Sequence, residues 1–123
     1  MPNAYYRKVK IRIVYRGDDK KLSWRFEYAY HVGNLYGDTV RLCVYKDERS
    51  IKPHWYCVDP EIGLSLGEGK TRIEAADMAR SLVTHISKER YEKAVSDNKQ
   101  KFVEQGLMSF DYREGYRWQP PKI

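Results

Sequence analysis

The first sixteen residues contain Arg7, Lys8, Lys10, Arg12 and Arg16 and no aspartate or glutamate. They hold five of the six surplus positive charges of a 123-residue chain whose remaining Lys and Arg are nearly matched by Asp and Glu. Amines and guanidiniums with no neighbouring carboxylate bind anions, and here they are spaced for a surface. Lys8, Lys10 and Arg12 alternate with Val9, Ile11, Ile13 and Tyr15, and a strand sends alternate side chains to opposite faces. The result is one cationic and one apolar face, and the partner such a face implies is a polyanion. Lysine and arginine also guard exposed strands against edge pairing. That use tolerates mixed signs, whereas this segment carries one sign only.

Residues that could do covalent or metal chemistry are less well arranged. Gly63-Leu-Ser-Leu-Gly-Glu-Gly69-Lys70-Thr71 invites a phosphate-loop reading. That loop needs four residues between its glycines and five stand here, without the alternating strand–helix frame that supports it. The same letters describe a glycine-rich turn entering a capped helix, whose start at Lys70, Thr71 and Arg72 is a candidate site for a single phosphate or carboxylate. His31, His54 and His85 are not spaced as ligands on one element. Cys43, Cys57, His31 and His54 could meet only across neighbouring strands, without the paired spacing of a zinc site. No metal and no cofactor is predicted. Asp59, Glu61 and Lys70 come nearest to the carboxylate cluster of a metal-dependent nuclease, but Asp59-Pro60-Glu61 also reads as a strand-ending turn. With no nucleophile elbow and no serine or cysteine beside a base, the chain is predicted not to be an enzyme.

The elements that must position these residues begin with a strand from Tyr5 to Arg16, closed by Gly17-Asp18-Asp19. A second runs from Leu22 to Val32, with Leu22, Trp24, Phe26, Tyr28 and Tyr30 on one side and Ser23, Arg25, Glu27, Ala29 and His31 on the other. The short link makes the two an antiparallel hairpin. A third strand spans Thr39 to Tyr45 with Val40, Leu42 and Val44 inward. A fourth, Lys52 to Val58, is interrupted at Pro53 and therefore expected at an edge, where a homodimer can form. Gly63 to Gly69 reads as a loop or a short ragged strand. Thr71-Arg72-Ile73-Glu74 is a capping box opening a helix with the stripe Ala75, Ala79, Leu82 and Ile86. A second helical stretch, Lys88 to Gln105, carries Tyr91, Val95 and Phe102. Ser96-Asp97-Asn98 is a candidate break in it, and Gly106 its cap.

This order predicts an α+β fold, an antiparallel sheet of about four strands followed by one or two C-terminal helices packed on one face. It divides the chain into a domain over residues 1–106 and an aromatic, basic tail over 107–123 that holds Tyr112, Arg113, Tyr116, Arg117 and Trp118. The large apolar parity, Val9, Ile11, Trp24, Phe26, Leu42 and Val44, is expected to receive the helices. Lys8, Lys10, Arg12, Arg25 and Arg41 are then expected together on the open face, with Glu27 as the one acidic intruder.

Eleven tyrosines and three tryptophans stand against three phenylalanines. Such rings fill a core with a polar handle at its edge, and they also serve binding surfaces. Tyr6, Tyr45 and Tyr56 are candidates to stack on unpaired bases. The function expected is a small non-enzymatic binding protein whose basic sheet face engages nucleic acid or a nucleic-acid–protein complex. The alternative is a phage or mobile-element inhibitor of a host defence nuclease. In that case the patch meets carboxylates and the tail supplies the protein–protein anchor. No apolar run approaches the ~20 residues that span a bilayer, so no membrane partner is predicted. The N-terminal MPNAYYRKVK lacks the pattern of a signal peptide. Cys43 and Cys57 read as buried free thiols, and the expected location is the cytoplasm.

Gly67-Glu-Gly-Lys-Thr-Arg-Ile-Glu-Ala-Ala resembles the loop-to-helix step of HicB-like antitoxins, where a strand and a glycine turn precede a Thr-x-x-Glu-Ala helix start. The similarity covers ten residues, and the strands leading into it depart from that family's order, so no function is carried across. In size and style the chain is also similar to the small single-domain proteins of phages and mobile elements, anti-CRISPR inhibitors among them, with no shared motif.

Overall fold

The structure, a computed structural model, describes residues 7–16, 19–48, 51–52, 54–61 and 63–105. Five strands precede two helices: β1 (Arg7–Arg16), β2 (Leu22–Leu35), β3 (Val40–Lys46), β4 (Trp55–Val58), β5 (Ser65–Gly69), α1 (Arg72–Thr84) and α2 (Lys88–Glu104). The sheet is an antiparallel meander in the order β1-β2-β3-β4-β5, and the fold is α+β as expected. The ragged segment before α1 is thus a fifth strand. It pairs with β4 and makes β4 interior, where the Pro53 interruption had suggested an edge. Pro53 itself lies outside the described residues and outside β4.

Local chemistry explains both helices. The Thr71 hydroxyl accepts from the Glu74 amide at 3.1 Å, and the Glu74 carboxylate reaches back to accept from the Lys70 N–H at 2.8 Å. This is the capping box displaced by one residue on its return arm. Just beyond the other end of α1, the Tyr36 hydroxyl donates to the carbonyl of Ile86 at 2.6 Å, tying the link between the helices to the end of β2. The buried face of α1 is Ala75, Ala76, Ala79 and Val83, while Leu82 is 53 % exposed. The stripe is therefore narrower and smaller than the apolar spacing suggested, because small residues let the helix backbone settle onto the sheet. In α2, Ser87 caps the start and Asn98 does not break the helix: its amide donates to the Ala94 carbonyl at 2.8 Å. Tyr91 and Phe102 are buried on this helix as predicted. Gly106, its expected cap, lies outside the described residues.

The register of the hairpin overturns the expected division of faces. Lys8 pairs with Tyr30, Lys10 with Tyr28, Arg12 with Phe26 and Val14 with Trp24. Directly opposed residues of an antiparallel pair share a face, so the β1 cations lie with the β2 aromatics. Val9, Ile11 and Ile13 instead share a face with Ala29, Glu27 and Arg25. The first of these faces is the helix side: Tyr30 packs with Val40, Leu42, Val44, Cys57 and the α1 stripe. A bulge between His31 and Gly33 then inverts the alternation of β2, so that Leu35, opposite Val40, also faces α1.

The second face is not open either. Val9, Ile11, Ile13, Ala29, Cys43, Tyr45 and Val58 form a separate core. It unites β1 with β4 although two strands lie between them, so the sheet rolls around it. The free edge of β1 meets the β4–β5 connection, where the Val14 N–H donates to the Gly63 carbonyl at 3.0 Å. Gly63 has φ +78, and a Cβ there would stand 2.6 Å from the Arg12 carbonyl oxygen, so both backbone and space require glycine. α2 runs from Tyr91, beside α1, to Phe102, which packs with Val14, Leu22 and Leu64 at the hairpin end. No described helix is long and apolar enough to cross a membrane.

Candidate nucleic-acid interface

The rolled sheet leaves the outer surface of the β1–β2 hairpin between the two helices. α1 packs over β3, β4 and β5 and reaches only part of β2, while Phe102 of α2 covers Val14 and Leu22. Between them stand Trp24, Phe26 and Tyr28, exposed by 39 %, 40 % and 62 %. A cation from β1 lies over each ring. The Lys8 ammonium is 5.3 Å from the centre of Tyr28 and that of Lys10 is 4.8 Å from Phe26. The Arg12 guanidinium is 4.3 Å from Trp24 and 5.7 Å from Phe26. Trp24 and Phe26 meet edge to face at 5.3 Å. Because the rings occupy alternate residues of one strand, their points of attachment repeat at about 6.6 Å, and Trp24 and Phe26 lean together from that spacing.

The row continues toward the start of α1. Tyr30 is the next ring on β2, and Arg72 sits 5.7 Å from it and 5.6 Å from Trp55 of β4. Lys46, opposite Trp55, lies on the same face. Two acidic residues close in sequence to this row have partners of their own. Glu27 projects to the other face, where it accepts from Arg25 at 3.1 Å. Glu74 is engaged by the Lys70 backbone. Among the described residues, Lys8, Lys10, Arg12 and Arg72 are thus gathered with the aromatic rings on one surface.

The predicted site residues divide accordingly. Lys8, Lys10 and Arg12 are brought together. Arg25 and Arg41 are not part of that group. Arg25 lies over Tyr15 at 4.7 Å on the inner face, and Arg41 shares the parity of buried Cys43. Arg7 and Arg16 bound β1, and their side chains lie outside the described residues, as do Tyr6 and the tail residues Tyr112, Arg113, Tyr116, Arg117 and Trp118. Tyr45 is core, stacked on Tyr56 at 5.5 Å, and burial pushes its hydroxyl up to about 12. It cannot act as a platform for bases. At the start of α1, the Glu74 carboxylate takes the Lys70 amide and the Thr71 hydroxyl takes the Glu74 amide, while Arg72 joins the aromatic row. Trp24, Phe26 and Tyr28 escaped sequence reasoning as surface residues, since alternation looks the same for an exposed row of rings as for a buried one.

The side chains considered for catalysis have structural duties. Cys43 and Cys57 are free and buried on opposite faces, the first in the inner core and the second beneath α1. Burial pushes the Cys57 thiol up to about 12 and raises Cys43 as well, so neither is a nucleophile at neutral pH. Among the described residues no three His, Cys, Asp or Glu side chains are grouped to hold a metal. Glu61 accepts from Lys99 of α2. Asp59, 1 % exposed, accepts from the Tyr91 hydroxyl at 2.6 Å and from the Glu61 N–H at 2.9 Å. Together these carboxylates fasten α2 to the end of β4.

Burial raises the Asp59 carboxyl above its ordinary 3.8, although the hydrogen bonds from Tyr91 and Glu61 pull the other way. A carboxyl that titrates higher in the folded chain stabilises the fold fully below 3.8, and that contribution is lost as pH rises through the folded value. Asp59→Asn is expected to remove this falling segment. Urea unfolding of both proteins from below pH 3.8 to neutrality checks it, the readout being the difference between the two curves. Parallel curves would contradict the assignment.

No protein-family model, curated protein or solved structure matches the chain.

Proposed function

We propose that the protein is a non-enzymatic nucleic-acid-binding protein whose ligand lies on the outer face of the β1–β2 hairpin. The observation that supports this reading is the row of Lys8, Lys10 and Arg12 placed over exposed Tyr28, Phe26 and Trp24. A polynucleotide offers both complements at once: a phosphate at every step for the cations and a π-face at every step for the rings. A cation over an exposed ring is worth about 0.5–1 kcal/mol, whereas a base stacked on an aromatic side chain is worth about 1–3 kcal/mol. An arriving base can therefore displace the cation, which then meets the phosphate beside it. Holding the long side chains against rings beforehand also reduces the ordering cost, up to ~2 kcal/mol for a free Lys or Arg.

The measurement is retention of labelled oligonucleotides on a filter at two salt concentrations. The logarithmic affinity is expected to fall with logarithmic salt by about 0.7–0.9 for each phosphate neutralised. For three cations this is a slope near −2 to −3, as an order of magnitude of about one per cation. Undetectable retention of both single and double strands at low salt would overturn the proposal.

A further inference from the structure

Resting on that reading, we infer that the strand bound here is unpaired, with successive bases stacked on Trp24, Phe26 and Tyr28 and a track that ends at Tyr30, Arg72 and Trp55. The rings are attached about 6.6 Å apart along β2, and even the centres of Trp24 and Phe26, which lean together to 5.3 Å, stand well beyond the ~3.4 Å advance per base along one strand of a stacked duplex. Consecutive bases reach consecutive rings only when the backbone is drawn out and each base has left its neighbour. In a duplex both faces of an interior base are already taken.

The side chains point the same way. A two-stranded ribbon can enter a major groove, but it reads base edges there through hydrogen-bonding groups. The β2 row of this hairpin presents Trp24, Phe26 and Tyr28, partly exposed rings that serve stacking and carry no code once the cations over them move to phosphate. The cations are on the flanking strand, beside the rings, where the backbone of a strand lying along β2 would pass. Tyr30 is half-buried with Arg72 above it and Trp55 alongside, so the open track closes there. From Trp24 to Tyr30 is about 20 Å of strand. That accommodates about four extended nucleotides, at the short end of the site sizes such surfaces use.

The test uses the full chain and fluorescence anisotropy at one fixed salt concentration. One probe is an unstructured thymidine oligonucleotide and the other a hairpin duplex with the same number of phosphates. The unpaired probe is expected to bind at least tenfold more tightly. Phe26→Leu and Tyr28→Leu are each expected to lose about tenfold toward the unpaired probe while leaving duplex affinity and the salt slope unchanged, because a ring adds no charge. Tyr28, the most exposed of the three, keeps the test decisive should Phe26→Leu fail to fold by circular dichroism. Equal or tighter duplex binding overturns the inference and leaves the broader proposal standing. So do ring variants that bind the unpaired probe as well as the native chain. Failure of both probes to bind overturns both.

Discussion

Replacing Lys8, Lys10 and Arg12 together by glutamine is expected to weaken oligonucleotide binding about a hundredfold at low salt. Each cation beside a polyanionic surface contributes about 1 kcal/mol, and about 3 kcal/mol is roughly two powers of ten in affinity. The salt slope should also become shallower by about one for each phosphate that the variant no longer neutralises. Titrations of the native and triple-variant proteins at several salt concentrations read both quantities. Two controls separate this surface from net charge. Arg25→Gln removes a single charge from the inner face, where Arg25 is held by Glu27 at 3.1 Å, and should leave affinity nearly unchanged. Lys8→Gln with Lys10→Gln keeps half-buried Arg12 in place and should give an intermediate loss with the fold intact. An Arg25 variant that loses as much binding free energy per charge removed as the Lys8 and Lys10 pair would mean that only overall charge matters.

Gly67→Ala is expected to destabilise the fold strongly, through a single added methyl group. Gly67 is buried on β5, opposite Cys57, where α1 crosses closest to the sheet. A Cβ there would lie 2.5 Å from the Ala75 carbonyl oxygen and 2.6 Å from the Ala79 nitrogen. Both are backbone atoms, so no rotamer change relieves the clash and the whole helix must lift off Val44, Leu42 and Cys57. Overpacking a core costs about 1–3 kcal/mol when side chains can adjust. Here the cost should reach about 3 kcal/mol, a drop of roughly 10–20 °C in melting temperature for a domain of this size. Thermal unfolding followed by circular dichroism measures it. Gly33→Ala is the control: its added methyl would meet only the end of the Arg80 side chain at 3.3 Å, which can swing aside. A Gly67 variant within about 1 kcal/mol of native stability would show that α1 is not seated by this close approach.

The two effects are connected through the way the sheet is filled. Rolling β1 over β4 encloses Val9, Ile11 and Ile13 without help from a helix. α1 is therefore free to pack on β3, β4 and β5 alone, and the outer face of the hairpin is left to aromatic and basic side chains. If the sheet were flat, one helix layer would have to cover β1 and β2 too, and the row of rings would be core. The exposure of Trp24, Phe26 and Tyr28 follows from the roll, which the Gly63 hydrogen bond to the β1 edge secures.

Several features were determined by the sequence alone, because their causes are local. The concentration of positive charge in the first sixteen residues needs no structure to be seen. Alternation along β1 and β2 follows from the pleat. The start of α1 follows from Thr71 and Glu74, and the buried side of α2 from the spacing of Tyr91 and Phe102. Other features arise only between distant segments. Alternation says that Lys10 and Ile11 point apart, but not whether Lys10 lies beside Tyr28 or beside Glu27. That is a matter of register, and a shift of one residue exchanges the faces entirely. Register here placed the cations with the rings and sent Arg25 and Arg41 to the other side. Pairing with β5 made β4 interior despite Pro53, and the close seat of α1 on Gly67 turned Leu82 outward. Tertiary structure decided which side chains share a surface, since that depends on strand pairing and sheet curvature rather than on the order of residues along one strand.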